Sequence, residues 1–146
     1  MTDNSISDII TFDWPDHCGD IHKMNGALLL CVEAMQNQLS YNNQRIVMHA
    51  GYAETGHAKG SEHYKGNAVD FHIEGLSTEK AFDFVQDVLV LLQIINRCGL
   101  GFYPQWNNPG FHLDLNGRKK RWGWLNGQMT TLEKAHTYMI ENRGNK

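Results

Sequence analysis

Two long stretches of the chain repeat apolar residues at three- and four-residue steps, which is the period of an α-helix. The first stretch covers residues 23–39. The second covers residues 78 to about 97, with Ser77 as its N-cap and Gly99 as its C-terminal stop. Its apolar positions form a broad face, so the pattern predicts a deeply buried helix.

Shorter apolar runs predict β-strands, and a polar signal predicts a third helix. The predicted strands lie at residues 45–49, 68–73, 100–103 and 111–115, and the last two form a hairpin. A capping box at residues 130–133 opens the third helix, which ends near residue 142. The resulting order predicts an α+β fold, with a small, mostly antiparallel sheet packed with about three helices.

Chain length and the glycine distribution predict how the domain is organised. With 146 residues, the chain suits a single domain over residues 1–146 with one hydrophobic core. Residues 50–66 contain four glycines and few apolar residues, which indicates a long loop. Long loops in compact domains are often functional, so this segment is the first place to look for a site.

Charge and hydropathy exclude two classes of partner. Lys and Arg total 13, Asp and Glu total 16, and the net charge is −3, so the chain lacks the basic stripe that nucleic-acid binding requires. The one basic cluster, at residues 118–121, is short. The longest apolar run, at residues 88–92, is far too short to span a membrane. We therefore expect no nucleic-acid partner, no membrane partner and a monomer.

Cysteine use and the N-terminus indicate where the chain is made. Cys18, Cys31 and Cys98 are scattered and odd in number, which argues against a disulfide framework and for a reducing compartment. Residues 1–16 contain acids and no long apolar run, so they do not form a signal peptide. We expect synthesis in the cytoplasm.

Two short motifs could carry chemistry. SEHYKGNAVD, at residues 61–70, places His63 in the glycine-rich loop and Asp70 in the next strand. GFHLDL, at residues 110–115, places His112 on the later hairpin strand. Two imidazoles and one carboxylate are a suitable ligand set for catalytic zinc, which keeps a fourth position open for water. Spacing alone leaves open whether the three side chains converge.

The first motif matches, at every fixed position, the SxHxxGxAxD motif of the zinc DD-peptidases. This superfamily includes D-alanyl-D-alanine carboxypeptidases, L-alanyl-D-glutamate endopeptidases and hedgehog signalling domains. GLGFYP, followed by GFHLDL and then RW, resembles the branch of small bacterial and phage peptidoglycan peptidases. The resemblance covers residues 23–122 and implies that His63, Asp70 and His112 bind Zn²⁺.

The chain departs from many members of that superfamily at two places. Where they carry an arginine that can meet a substrate carboxylate, this chain has Ala53, although the cations of residues 118–121 could compensate. Where they place an acidic general base before the second zinc histidine, residues 107–111 contain no acid. Asp114 is the nearest carboxylate and shares a strand face with His112. We predict Asp114 as the catalytic base, with orientation of His112 as the alternative.

Other side chains are candidates for substrate contact. We predict Tyr52, Ser61 and His72 as substrate-binding residues, although His72 could be only a polar contact beside the site. An HCxxxH cluster at residues 17–22 resembles a second metal site, but the superfamily resemblance does not support it. Four aromatic residues could line a substrate groove or pack in the core: Tyr103, Trp106, Trp122 and Trp124.

The resemblance implies a zinc metallopeptidase that hydrolyses peptide bonds in peptidoglycan stem peptides or cross-links. The activity would be that of an endolysin-like endopeptidase or a D,D-carboxypeptidase, and the uncharged Ala53 favours the endopeptidase. The alternatives are a non-catalytic, zinc-stabilised binding module and a phage structural component. No separate wall-binding domain fits in 146 residues. Without a signal peptide, we expect the chain to reach the cell wall through phage lysis or virion delivery.

Overall fold

The computed structural model describes residues 8–143, and this part of the chain has the predicted α+β fold. Three α-helices pack with one six-stranded sheet. The helices are α1 (Gly26–Ser40), α2 (Thr78–Leu91) and α3 (Leu132–Asn142). The strands are β1 (Arg45–Ala50), β2 (Ala68–Glu74), β3 (Gly99–Tyr103), β4 (Gly110–Asp114), β5 (Lys120–Leu125) and β6 (Gln128–Thr130).

Each helix begins at a polar cap that satisfies free backbone N–H groups of its first turn. Side-chain oxygens of Asn25, Ser77 and Thr131 accept these hydrogen bonds. The predicted capping box at residues 130–133 is wrong by one position. Because Thr131 is the cap, Lys134 occupies the place where the box would need an acid, and the reciprocal bond is lost.

The second helix is shorter than the periodicity predicts. It ends at Leu91, because Gln93 adopts a left-handed backbone with φ of 62° that cannot continue an α-helix. Gly99, predicted as the helix stop, instead begins strand β3. The apolar residues that follow Leu91 therefore belong to a connection and not to the helix.

The strand order of the sheet is β1-β2-β4-β3-β5-β6. All neighbouring strands run antiparallel except β3 and β5, which are parallel. The predicted β3–β4 hairpin is confirmed, and β4 lies between β3 and β2. Strands β5 and β6 were not predicted. They extend the sheet beyond β3 and add a surface on the side of β3 away from β4, which the sequence pattern did not indicate.

The two faces of the sheet have different chemistry because side chains alternate along each strand. The core face is apolar and includes Phe71 of β2, Phe102 of β3 and Phe111 of β4, each at most 1% exposed. Helix α1 packs against β1, and α3 packs against β5 and β3. The opposite face presents the polar residues of β2 and β4, among them Asp70 and His112. Among residues 8–143, no helix is both long enough and apolar enough to cross a bilayer.

Candidate metal centre

Asp70 and His112 are brought together by strand register. They are directly opposed in the antiparallel pair of β2 and β4, and both project from the face opposite the core. Opposed residues of such a pair have Cβ atoms only about 4.5–5.5 Å apart. Here Asp70 Oδ1 lies 3.0 Å from His112 Nδ1. Two of the predicted ligands therefore meet because of the backbone pairing of the sheet.

His63 reaches the same place from the glycine-rich loop. It lies in a short 3₁₀-helix, Glu62–Lys65, whose N-cap Ser61 accepts a hydrogen bond from the His63 N–H at 3.1 Å. His63 is 2% exposed, and its Nδ1 donates to the Gly51 carbonyl oxygen at 2.8 Å. That bond leaves Nε2 as the unprotonated nitrogen of the neutral ring.

The environment of His63 Nε2 fits a bound cation. This atom is buried and has no hydrogen-bond partner, although Asp70 Oδ1 lies 3.2 Å away. A lone pair facing a carboxylate oxygen is unfavourable, because both groups are acceptors. A metal ion between them would remove the conflict and satisfy a buried polar atom that otherwise costs free energy.

The donor set completes this fit. One ligand atom from each of His63, Asp70 and His112 lies within 4.8 Å of the other two, and this is the only such group in the part of the chain that the structure describes. Two imidazole nitrogens and one carboxylate oxygen are ligands suited to first-row transition metals. The three residues could therefore hold a metal ion.

Asp114 contacts His112 from the side away from Asp70. Asp114 Oδ2 lies 2.7 Å from His112 Nε2, and Asp114 Oδ1 accepts hydrogen bonds from the Asn116 N–H and side-chain amide at 3.2 and 2.7 Å. Asp114 is 3% exposed. A buried carboxylate held in this way is placed as the partners of metal-bound histidines commonly are.

Burial and hydrogen bonding act in opposite directions on the pKa values of these groups. Burial alone would lower the pKa of His112, but its bonds to Asp114 and Asp70 raise this pKa to about 9. Burial would raise the pKa of Asp70, but the bond from His112 holds it well below its usual range. Since a metal ligand must be deprotonated at the nitrogen that binds, His112 would release a proton when it binds a metal ion.

An aromatic wall flanks the three residues on the β5 side. Gly101 of β3 lies between His112 and Trp122, and a Cβ at Gly101 would be 2.5 Å from the Trp122 ring. The absent side chain lets Trp122 pack on the backbone of β3, with its ring centre 5.0 Å from that of His112. Trp122 Nε1 donates to the Tyr103 hydroxyl at 3.0 Å, which fixes the ring further.

These groups line an open cleft of about 450 Å³, called here the site cleft. Its walls are the loop at residues 57–62 and strands β5 and β6, and His63, Asp70, His112 and Asp114 lie within it. Of the four aromatic residues predicted for a groove, Tyr103, Trp122 and Trp124 line the site cleft. Trp106 does not, and stacks on Tyr103 with ring centres 4.4 Å apart.

The predicted substrate-binding residues separate in the structure. Ser61 lines the site cleft, whereas Tyr52 and His72 do not. The Tyr52 hydroxyl lies 3.4 Å from Glu54, and Lys23 Nζ stands 5.0 Å from its ring centre. His72 contacts His49, with Nδ1 and Nε2 2.5 Å apart. These contacts leave Tyr52 and His72 beside the site, and their predicted role stays a prediction.

Sequence reasoning passed over two residues that contact the site directly. His57 stacks on His63 with ring centres 4.1 Å apart. Asn116 holds Asp114, and its place two residues after an aspartate is a local hydrogen-bonding pattern that could have indicated the contact. The HCxxxH cluster at residues 17–22 is not among the groups able to hold a metal within residues 8–143.

Comparison of the chain with family models, with curated proteins and with solved structures found no match.

Proposed function

We propose that the protein is a zinc metallopeptidase that hydrolyses peptide bonds in peptidoglycan stem peptides or cross-links. The single observation that carries the proposal is the convergence of His63, Asp70 and His112 around a buried His63 Nε2 that lacks a hydrogen-bond partner. The match of residues 61–70 to the SxHxxGxAxD motif supports zinc as the metal and D-amino-acid peptides as the substrates.

The chain would hold zinc through His63, Asp70 and His112, since two histidines and one carboxylate are a recurrent catalytic zinc set. When bound, Zn²⁺ supplies a Lewis acid that polarises a carbonyl and activates water. The Gly51 carbonyl fixes the tautomer of His63, and Asp114 orients His112. The open cleft leaves room for an extended peptide beside these residues.

Proton transfer during peptide hydrolysis needs a group that can accept a proton from water and return it to the leaving amine. Asp114 is the predicted base, but its buried carboxylate already binds His112 and Asn116, which supports an orienting role instead. Glu62 is the other carboxylate of the site cleft that is not a predicted ligand, and it accepts hydrogen bonds from Asn67 and Lys65. The role of Asp114 as the base stays a prediction.

The hydrogen bonds already made by the carboxylates of the site cleft favour one alternative function, a non-catalytic zinc-stabilised binding module. All three carboxylates that line the site cleft are already engaged: Glu62, Asp70 and Asp114. A module that binds a peptide without cleaving it needs no free base. The two functions predict the same zinc site and differ only in turnover.

The test is digestion of purified peptidoglycan by zinc-loaded protein, followed by mass spectrometry of the released fragments. We expect fragments with new peptide termini, and the bond cleaved would distinguish an endopeptidase from a carboxypeptidase. His63→Ala serves as the metal-deficient control. Binding to peptidoglycan by the zinc-loaded protein without new termini would reject the peptidase and favour the binding module.

A further inference from the structure

Outside the metal centre, two histidines on neighbouring strands bring their ring nitrogens into contact. His49 lies near the end of β1, and His72 lies in β2. His49 Nε2 and His72 Nδ1 are 2.5 Å apart, and the ring centres are separated by 4.8 Å. Neither residue lines the site cleft, and neither belongs to the group of His63, Asp70 and His112. The two residues, called here the histidine pair, therefore form a separate cluster of metal-ligating nitrogen atoms.

An irregularity in strand pairing places His49 beside its partner. The register of β1 against β2 shifts between Met48 and Ala50, so His49 lies in a β-bulge and has no directly opposed residue. A β-bulge changes the direction of the side chain at the extra residue. His72 is 7% exposed, whereas His49 is exposed. One ring of the histidine pair is thus held by its surroundings, and the other can adjust.

The contact between the two rings needs one nitrogen that donates and one that accepts. Glu74 Oε2 lies 3.8 Å from the other nitrogen of His72, Nε2, and Arg45 holds the Glu74 carboxylate at 2.9 Å. A nearby negative charge favours a hydrogen on Nε2, which leaves Nδ1 as the acceptor. His72 therefore directs a lone pair at His49, with a carboxylate behind the ring, as many metal-bound histidines do.

A metal ion fits between these two nitrogens after a small movement. Imidazole nitrogens bind Zn²⁺ at about 2.0–2.1 Å, so two such ligands at a tetrahedral angle lie about 3.3 Å apart. Since the present separation is 2.5 Å, the nitrogens need to move apart by about 0.8 Å. Because His49 is exposed, rotation of its side chain can supply this movement, and water can reach the remaining positions around the ion.

We propose that the histidine pair is a second transition-metal site, with His49 Nε2 and His72 Nδ1 as its two protein ligands. Imidazole is a ligand suited to Zn²⁺, Cu²⁺ and Ni²⁺. Two protein ligands are fewer than the three of the metal centre, so this site should bind an ion more weakly. The inference does not rest on the proposed function, because it uses neither peptide hydrolysis nor the residues of the site cleft.

The experiment is a calorimetric titration of the metal-free protein with Zn²⁺, followed to saturation. We expect two ions per chain in the unmodified protein, one bound more tightly than the other. His49→Phe should lose the weaker ion, because phenylalanine keeps an aromatic ring 5.7 Å from that of Trp106 but has no nitrogen. Retention of both ions in His49→Phe would overturn the inference.

A second exposed histidine provides the matched control. His22→Ala removes an imidazole that lies before α1, and this variant should still bind two ions. If His22→Ala loses the weaker ion as His49→Phe does, the ion is held by surface histidines in general, and the assignment to the histidine pair is overturned.

Nuclear magnetic resonance of the imidazole nitrogens identifies the ligand atoms. As the weaker ion binds, the resonances of His49 Nε2 and His72 Nδ1 should shift, while those of His22 should not. A weaker ion that leaves both nitrogens of the histidine pair unshifted would also overturn the inference.

His63→Ala separates this inference from the proposed function. The variant lacks a ligand of the metal centre and should keep only the weaker ion. A single ion that is lost in His63→Ala and kept in His49→Phe would support the metal centre and reject the second site. A single ion that is lost in His49→Phe and kept in His63→Ala would support the second site and reject the metal centre on which the proposed function depends.

Discussion

Replacing Asp114 by asparagine separates an orienting carboxylate from a catalytic base. In the structure, Asp114 Oδ2 lies 2.7 Å from His112 Nε2 in a buried environment. Asparagine keeps a side-chain oxygen that can accept from Nε2 but carries no charge. If Asp114 acts by orienting His112, the substitution should weaken zinc binding and should not abolish turnover once zinc is saturating.

The size of the effect follows from the kind of hydrogen bond that is changed. Hydrogen bonds to charged groups contribute about 1.5–3 kcal/mol, and neutral ones about 0.5–1.5 kcal/mol. The difference is about 1–1.5 kcal/mol, which corresponds to a roughly tenfold weaker affinity for zinc. Asp114→Ala removes the acceptor altogether and should weaken the affinity by up to about 100-fold.

Competition with a chromogenic zinc chelator measures this affinity, and peptidoglycan digestion at saturating zinc measures the rate. Asp87→Asn, an exposed carboxylate of α2, is the control for a lost negative charge. If Asp114→Asn binds zinc as tightly as the unmodified protein but loses about 10²–10⁴-fold in rate, Asp114 is the base and the orienting role is refuted.

Three further predictions follow from the fold. Zinc stabilises only the folded chain, so removing it by chelation should lower the melting temperature by about 5–10 °C relative to protein with zinc at about 100 times its dissociation constant. His63→Ala should abolish this shift. An unchanged melting temperature on chelation would argue against the shared site. Gly101→Ala should lower the free energy of unfolding in urea by about 1–3 kcal/mol, because the new Cβ would be 2.5 Å from the Trp122 ring. An unchanged free energy of unfolding would contradict that packing. Burial raises the pKa of the Cys31 thiol to about 11. The unfolded thiol therefore ionises first as pH rises, and stability measured in urea should fall between about pH 9 and pH 11; the fall should be shallower in Cys31→Ala, and an identical pH profile would contradict this.

Local sequence patterns predicted most of the elements that build the fold. The helical periodicity located α1 and α2, the capping signal located α3, and short apolar runs located β1, β2 and the β3–β4 hairpin. Strand β5 was missed because its run, KRWGWL, begins with two charges and contains a glycine. Its partner β3 is parallel and lies about twenty residues earlier, so no turn signal announces the pairing. The end of α2 was misplaced because one left-handed residue, Gln93, interrupts an apolar pattern that continues past it.

In the candidate site, too, the residue types can be identified from short sequence motifs, whereas their positions relative to one another depend on contacts between distant segments. His63 and Asp70 belong to one ten-residue motif, and residue types alone marked them and His112 as possible ligands. Their convergence needed the antiparallel register that sets Asp70 opposite His112, together with a Gly51 carbonyl that turns His63 Nε2 toward them. Likewise the sequence presents residues 118–121 as four equivalent cations, whereas in β5 the side chain of Lys120 lines the site cleft and that of Arg121 donates to the Cys98 carbonyl oxygen. Local chemistry is encoded residue by residue, whereas the face that a side chain occupies is decided by pairing between distant segments, which no short window of sequence contains.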